Sequence, residues 1–426
     1  MLTSARQTKT AYTRQFLGAI LGICLLTACS AGDPGVRPAE SSETPVPAET
    51  AASEDWSEYA GHKVHVPAGT SILTETGEQA GMFPADAEID ISADASGKYL
   101  NINDSRYAVD GAEIQQSSRW MKHETALQPI GKQVTTADTY HLQDLSGKET
   151  AEIHGADTYE VYAEPCADDP RYGVRFNGRL AYIPQEETVS CSGERTAQGA
   201  VNLPVLMYHF FYSEADGGVR ENANFVEVNE LDEQLDWLQQ SGYSTLTMEE
   251  TLCYMQGRSV IPQKSVVITI DDGDPSVHQY AYNVIRDHGM HATLFLITGW
   301  GGQNLQNYDF WEMREDGLEL QSHGFLTHQG GCSGMGHGGR ILCMDHAEGV
   351  EDTRMSFDAV DGGFVYCYPF GDYNDSAKAI ISEAGAKLAF TTEYGKIDPS
   401  MDLLALPRIR VQGGAGIERY ISSIED

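Results

Sequence analysis

From Val201 onward, short β-branched apolar runs alternate with amphipathic helical stretches, and this alternation restricts the fold more than any other feature of the chain. Leu203 to Tyr208, Ser265 to Ile270, Ala292 to Ile297, Leu318 to Gln321, Phe364 to Cys367 and Leu388 to Thr391 read as strands. Helices are expected between several of them. One is capped by Asn229, with Leu231, Leu235 and Leu238 on one face. A second carries the capping-box pair Thr247 and Glu250, and a third opens at Asp274-Pro275 and ends at Gly289. Repeated strand–helix units bury a parallel sheet under helices, and their number favours a distorted, closed or nearly closed (β/α) barrel over 201–426.

The region before the barrel is built differently. Residues 61–190 show short strands with turn punctuation and almost no helical period. Two stretches alternate apolar and polar residues around Asn103-Asp104 and Asn177-Gly178, which are hairpin signals because such turn residues tolerate positive φ. An all-β region of two small tandem barrels is expected, and it resembles bacterial SH3-like domains. Residues 30–60, rich in Ser, Thr, Pro, Ala and Glu, cannot bury a core and read as an extended tether. Residues 1–29 combine Arg6, Lys9 and Arg14 with a short apolar run and end in Leu-Thr-Ala-Cys. That is the layout of a signal peptide with a lipoprotein box, which makes Cys29 the lipidated N-terminus of an exported, membrane-anchored protein on the extracellular side.

The chain has 63 Asp+Glu against 28 Lys+Arg, a formal net charge of −35. Nucleic-acid binding is excluded on that balance, since phosphate contacts need clustered Lys and Arg. Through the lipid, a membrane is an expected partner; the protein itself reads as a monomer. An oxidising compartment allows disulfides, and Cys166 with Cys191 and Cys332 with Cys343 are the local pairs. A structural zinc site at Cys332, His337, Cys343 and His346 competes with the second pair.

Three chemistry-bearing groups follow apolar strands: His209, Asp271-Asp272, and His323 with His328. Singly, each is compatible with a solvated turn or a rim residue. In a (β/α) barrel, however, the C-terminal strand ends form one face, so all three groups converge there. His323 and His328 are five residues apart, which does not suit one helix face and places them on a loop.

These residues resemble the motifs of the polysaccharide deacetylases, the family four carbohydrate esterases with NodB homology. TIDDG (269–273) is similar to their first motif, SHGFLTH (322–328) to a longer form of the second, YPFGDYN (368–374) to the third, and LPRIRV (406–411) to a late barrel strand. With LMYH near the domain start, the pattern is most similar to the circularly permuted branch that includes poly-N-acetylglucosamine deacetylases. The resemblance implies that Asp272, His323 and His328 hold zinc or another divalent metal and that Asp271 is the general base. It also makes His209 the acid, and Phe370 the donor of a backbone N–H to the oxyanion.

There are departures from the pattern. The usual third-motif Arg falls at Cys367, so Arg408 is assigned the positive charge that orients the base. Gly324 stands where Ser or Thr is common, removing a hydroxyl near the metal. Gly330 to Gly339 reads as an insertion that shapes the groove. Tyr368 and Tyr373, with the aromatics Trp300, Tyr308 and Trp311, are candidates for contact with sugar rings. The resemblance makes a cell-wall or biofilm polysaccharide the expected partner, and the expected function is metal-dependent removal of N-acetyl groups from an extracellular N-acetylglucosamine polymer, either poly-N-acetylglucosamine or peptidoglycan. O-acetyl esterase action on acetylxylan and a non-catalytic wall-binding lipoprotein are the alternatives.

Overall fold

The computed structural model describes residues 63–426 except 91, 95–96, 103–104, 110–112, 115–123, 200, 300–309 and 316–317. The signal segment with Cys29, the tether and the Asn103-Asp104 turn therefore lie outside the described residues. No helix among the described residues is long and apolar enough to cross a membrane.

The C-terminal half is organised by eight parallel strands: β1 (Val205–Tyr208), β2 (Ser244–Thr245), β3 (Ser265–Ile270), β4 (Thr293–Leu296), β5 (Glu319–Ser322), β6 (Val365–Cys367), β7 (Leu388–Tyr394) and β8 (Leu406–Arg410). They pair in the order β1-β8-β7-β6-β5-β4-β3-β2, and β1 also pairs with β3. That extra pairing closes a ring of seven strands and leaves β2 beside the start of β3. All six residues of β3 are buried, as expected of a strand covered on both faces.

The helices follow the expected spacing with one correction. Helix α1 (Val228–Gln240) buries Leu231, Leu235 and Leu238, but its cap is Glu227, whose carboxylate accepts the Asn229 N–H at 2.6 Å. The short strand Phe225–Glu227 pairs with Phe210–Tyr212 and ends at Glu227, which moves the helix cap two residues ahead of Asn229. Helix α2 (Met248–Met255) has the Thr247–Glu250 capping box. Past Asp274-Pro275 a helical segment runs through Val277–Ala281 into α3 (Tyr282–Asp287). The remaining helices are α4 (Phe310–Glu315), α5 (His346–Ala359), α6 (Asp375–Ala384) and α7 (Ile417–Glu425).

The region 63–193 is all-β, but its two halves do not close apart from each other. Ile153 pairs with Gly81, and Phe176 with Ile102, so strands of both halves share a twelve-stranded sheet. One apolar cluster, from Ile72 and Phe83 to Val174 and Ile183, fills both halves. Asn177 (φ +49) and Gly178 (φ +83) make the expected tight turn between Phe176 and Arg179. Cys166 and Cys191 are free thiols, contrary to the expected bridge. Cys191 lies on the edge strand Thr188–Gly193, and the strand Lys132–Thr136 separates it from Thr158–Ala163, the strand that leads to Cys166.

The β region is joined to the barrel by polar groups at the end of the barrel where strands begin. Arg258, 2% exposed, donates to the Asp169 carboxylate at 2.9 Å, to Glu164 O at 2.6 Å and to Arg171 O at 3.0 Å. The capping carboxylate of Glu250 also accepts from Thr125 Oγ1 at 2.6 Å and Ala126 N–H at 2.8 Å. Burial by itself would raise the Asp169 pKa, but Arg171 and Arg258 outweigh it and hold the carboxyl below its ordinary value. The stabilisation from this ion pair is therefore present above the ordinary carboxylate pKa of about 3.9 and is lost as pH falls through the lowered folded value. Arg258→Ala should lower stability by about 2 kcal/mol at neutral pH, because it removes a buried charge-assisted hydrogen bond from Asp169, which keeps Arg171. Urea unfolding at pH 7 and at pH 3 checks this: the difference between wild type and variant should shrink at the lower pH.

Candidate active site

The site begins where β3 ends. Asp271 N–H donates to Tyr208 O at 3.0 Å, which ties the end of β3 to the end of β1. Asp272 then takes φ +76, a left-handed conformation that costs a non-glycine residue roughly 1–2 kcal/mol. The turn separates two adjacent carboxylates. Asp271 faces the barrel interior and Asp272 faces the histidines.

Asp271 is 2% exposed and grips Arg408, itself 0% exposed, through two parallel contacts of 2.7 Å. Arg408 also donates to Thr391 O (3.0 Å), Thr269 Oγ1 (3.0 Å) and Cys367 Sγ (3.0 Å), and the rings of Phe295 and Phe390 flank it. Burial raises the Asp271 pKa, but the guanidinium more than offsets this and holds the carboxyl at about 2. The positive charge that the third motif lacks at Cys367 thus reaches Asp271 from β8.

Asp272 Oδ1 lies 3.3 Å from His323 Nε2 and 3.3 Å from His328 Nε2. His323 is oriented from behind, because its Nδ1–H donates to Cys367 O at 2.8 Å and leaves Nε2 bare toward Asp272. The loop from His323 to His328 is held by a residue the sequence did not mark. Asp352 on α5, 5% exposed, accepts the Phe325 N–H at 3.1 Å and the Leu326 N–H at 2.8 Å. An acid in the middle of an amphipathic helix carries no sequence signal for this role.

Gly324 has φ +86, and a Cβ there would meet Thr327 Oγ1 at 2.0 Å. The Thr327 hydroxyl occupies the space a side chain at 324 would take, and it pairs with Tyr366 OH at 2.9 Å. The donor set of one carboxylate and two imidazoles, all within 4.8 Å of one another, suits a divalent metal such as zinc with positions left open.

His209 follows β1. Burial lowers its pKa below the ordinary imidazole value, while the negative charges of Asp271 and Asp272 pull the other way. Phe370 adopts φ +61 in the turn after β6, and its ring centroid lies 4.6 Å from that of His328. No hydrogen bond among the described residues uses the Phe370 N–H. The loop 330–339 is closed by the Cys332–Cys343 disulfide, which leaves no thiolates there for a zinc ion.

Two expected sugar contacts are corrected or qualified. Tyr368 is 0% exposed, its hydroxyl donates to Leu404 O at 3.0 Å, and it belongs to an apolar cluster, so it is a core residue. Tyr373 is partly exposed, stacks on Tyr368 and donates to Glu393 at 3.1 Å. Trp300, Tyr308 and the Trp311 side chain lie outside the described residues.

Residues 259–389 match the family model for polysaccharide deacetylase. The chain is 29% identical to YxkH of Bacillus subtilis over 230 residues, covering 52% of this chain and 77% of that protein. It is 27% identical over 220 residues to the poly-β-1,6-N-acetyl-D-glucosamine N-deacetylase of Staphylococcus aureus strain MRSA252, covering 48% and 73%. Among solved structures, it aligns with the Streptococcus pyogenes deacetylase PplD in complex with acetate at 23% identity and a TM-score of 0.46, covering 54% of this chain and 100% of that one.

The geometry makes a prediction about metal content. The full-length protein should bind about one divalent metal per chain, and His323→Ala should abolish binding. Asp352→Ala, which touches no donor atom, should weaken it by about 10–100-fold. Elemental analysis and competition with a chelator measure both effects.

Proposed function

The chain carries a polysaccharide deacetylase domain, and we propose that it hydrolyses N-acetyl groups of an extracellular N-acetylglucosamine polymer, either poly-N-acetylglucosamine or peptidoglycan. The observation that carries this reading is the pairing of the Asp272–His323–His328 donor set with an ionised carboxylate, Asp271, held beside it by Arg408. Similarity to a protein named for poly-β-1,6-N-acetyl-D-glucosamine supports the substrate class. Export and lipid anchoring at Cys29 belong to the same proposal and rest on the Leu-Thr-Ala-Cys box.

Asp272, His323 and His328 would hold the metal. A divalent cation there supplies Lewis acidity, which polarises an acetamide carbonyl and makes water a better nucleophile. Asp271 takes a proton from the attacking water. Its low pKa keeps it ionised and ready to accept at neutral pH, and Arg408 fixes the direction of its oxygens. The Phe370 N–H donates to the carbonyl oxygen as negative charge develops there. His209 delivers a proton to the departing nitrogen. Its desolvation makes the imidazolium a stronger acid, so the proton is given up more readily.

An amide nitrogen cannot leave without a proton, whereas an activated alkoxide can. His209→Ala should therefore lower acetamide hydrolysis by ~10²-fold or more and affect an activated acetyl ester much less. Equal losses on both substrates would remove His209 from the acid role. Acetate release from β-1,6-linked polymer, peptidoglycan, chitin oligomers and acetylxylan tests the substrate class, and release from acetylxylan alone would overturn the N-deacetylase reading. For anchoring, Cys29→Ser should leave the membrane fraction or block processing; unchanged retention at the normal mature size would sink that part.

A further inference from the structure

The third-motif turn is braced by a carboxylate that none of the roles above uses. Asp372, whose side chain is 4% exposed, accepts the His337 N–H (2.9 and 3.0 Å to its two oxygens), the Gly339 N–H (2.8 Å) and the His337 Nδ1–H (3.0 Å). All of these donors come from the loop 330–339. The approach is too close for side chains: a Cβ on Gly336 would lie 2.3 Å from Asp372 Oδ1, and one on Gly339 would lie 2.9 Å from Oδ2. The Gly339 Cβ position is also 3.3 Å from the Phe370 ring, so the loop backs that ring as well as the carboxylate.

The loop keeps its shape through the Cys332–Cys343 disulfide and through Gly331 N–H and Cys332 N–H, which both donate to Gly338 O. Two residues before Asp372, Phe370 sits at φ +61, ψ 3. Its neighbours bond back across the turn, Gly371 N–H to Tyr368 O at 2.9 Å and Asp372 N–H to Pro369 O at 3.1 Å. An unfavourable backbone conformation of this kind persists only where its surroundings over-determine it. On one side the surroundings are the buried Tyr368; on the other they are this loop.

We propose that Asp372 is a positioning residue. Through the disulfide-closed loop it holds Phe370 in the left-handed conformation that aims the Phe370 N–H at the reacting carbonyl. The proposal rests on the deacetylase reading for its catalytic consequence but not for the anchoring itself.

Two measurements on the full-length protein separate these parts. Hydrogen exchange, followed by mass spectrometry on peptides covering 366–374, reports the anchoring without any need for activity. Asp372→Ala should speed exchange of the Gly371 amide, and Cys332→Ser/Cys343→Ser should do the same with the carboxylate intact. The metal-loaded protein, assayed on an N-acetylglucosamine oligomer, should then show kcat reduced by ~10²-fold, the usual effect of losing one oxyanion donor. KM and metal content should be unchanged. Because both variants act through one loop, combining them should cost no more than either alone.

Unchanged exchange in Asp372→Ala, additive losses, or a raised KM with kcat preserved would each overturn the proposal. Should Asp372→Ala fail to fold, the cysteine variant and Gly339→Ala, which crowds the same contact, carry the test. Faster exchange in Asp372→Ala, together with a wild-type protein that hydrolyses no acetamide, would defeat the deacetylase reading and leave the anchor standing.

Discussion

The buried pair of Asp271 and Arg408 is the interaction on which the rest of the site depends. Two charges at the closed centre of a barrel are costly to desolvate, and the cost is met only when every donor and acceptor finds a partner. Here the guanidinium reaches a carboxylate, a carbonyl, a hydroxyl and a thiol, and two aromatic rings flank it. The pair links the end of β3 to the middle of β8 across the ring. Asp272 is the next residue after Asp271, so the direction in which it presents its carboxylate follows from how firmly Asp271 is held.

Much of the chemistry was readable because it sits at the ends of strands with strong local signals. A β-branched run such as Ser265 to Ile270 fits poorly with anything but a buried strand, so the carboxylates after it had to lie on the barrel face. Arg408 could be reached through the departure at Cys367, since an ionised carboxylate in a closed core needs a counter-charge from somewhere. Asp352 and Asp372 could not be found this way. Each acts on backbone N–H groups of a distant loop, and any acidic residue is chemically equipped to do that. Only the fold decides which one does.

The corrections have physical causes of the same kind. Helix α1 is capped by Glu227 rather than by the residue with the better capping propensity, because a two-strand pairing ends there and propensity yields to tertiary context. Cys166 and Cys191 are close enough in sequence to invite a bridge, but sheet order is a long-range property and one strand runs between them. Tyr368 carries a hydroxyl and lies in the segment that resembles the family's third motif, and both features pointed to a sugar contact. Its hydroxyl is instead consumed by Leu404 O inside an apolar cluster.

Glu250 closes the capping box of α2 and with the same side chain receives Thr125 and Ala126 of the β region. Arg258, on the loop before β3, reaches across the same seam. Both contacts lie toward the end of the barrel opposite the one that carries His209, Asp271 and the histidine loop. The β region is therefore a pedestal rather than a bead on a string: the described contacts fix it to the barrel at the end away from those groups. A polymer of the proposed kind, crossing the opposite face, would not meet these contacts.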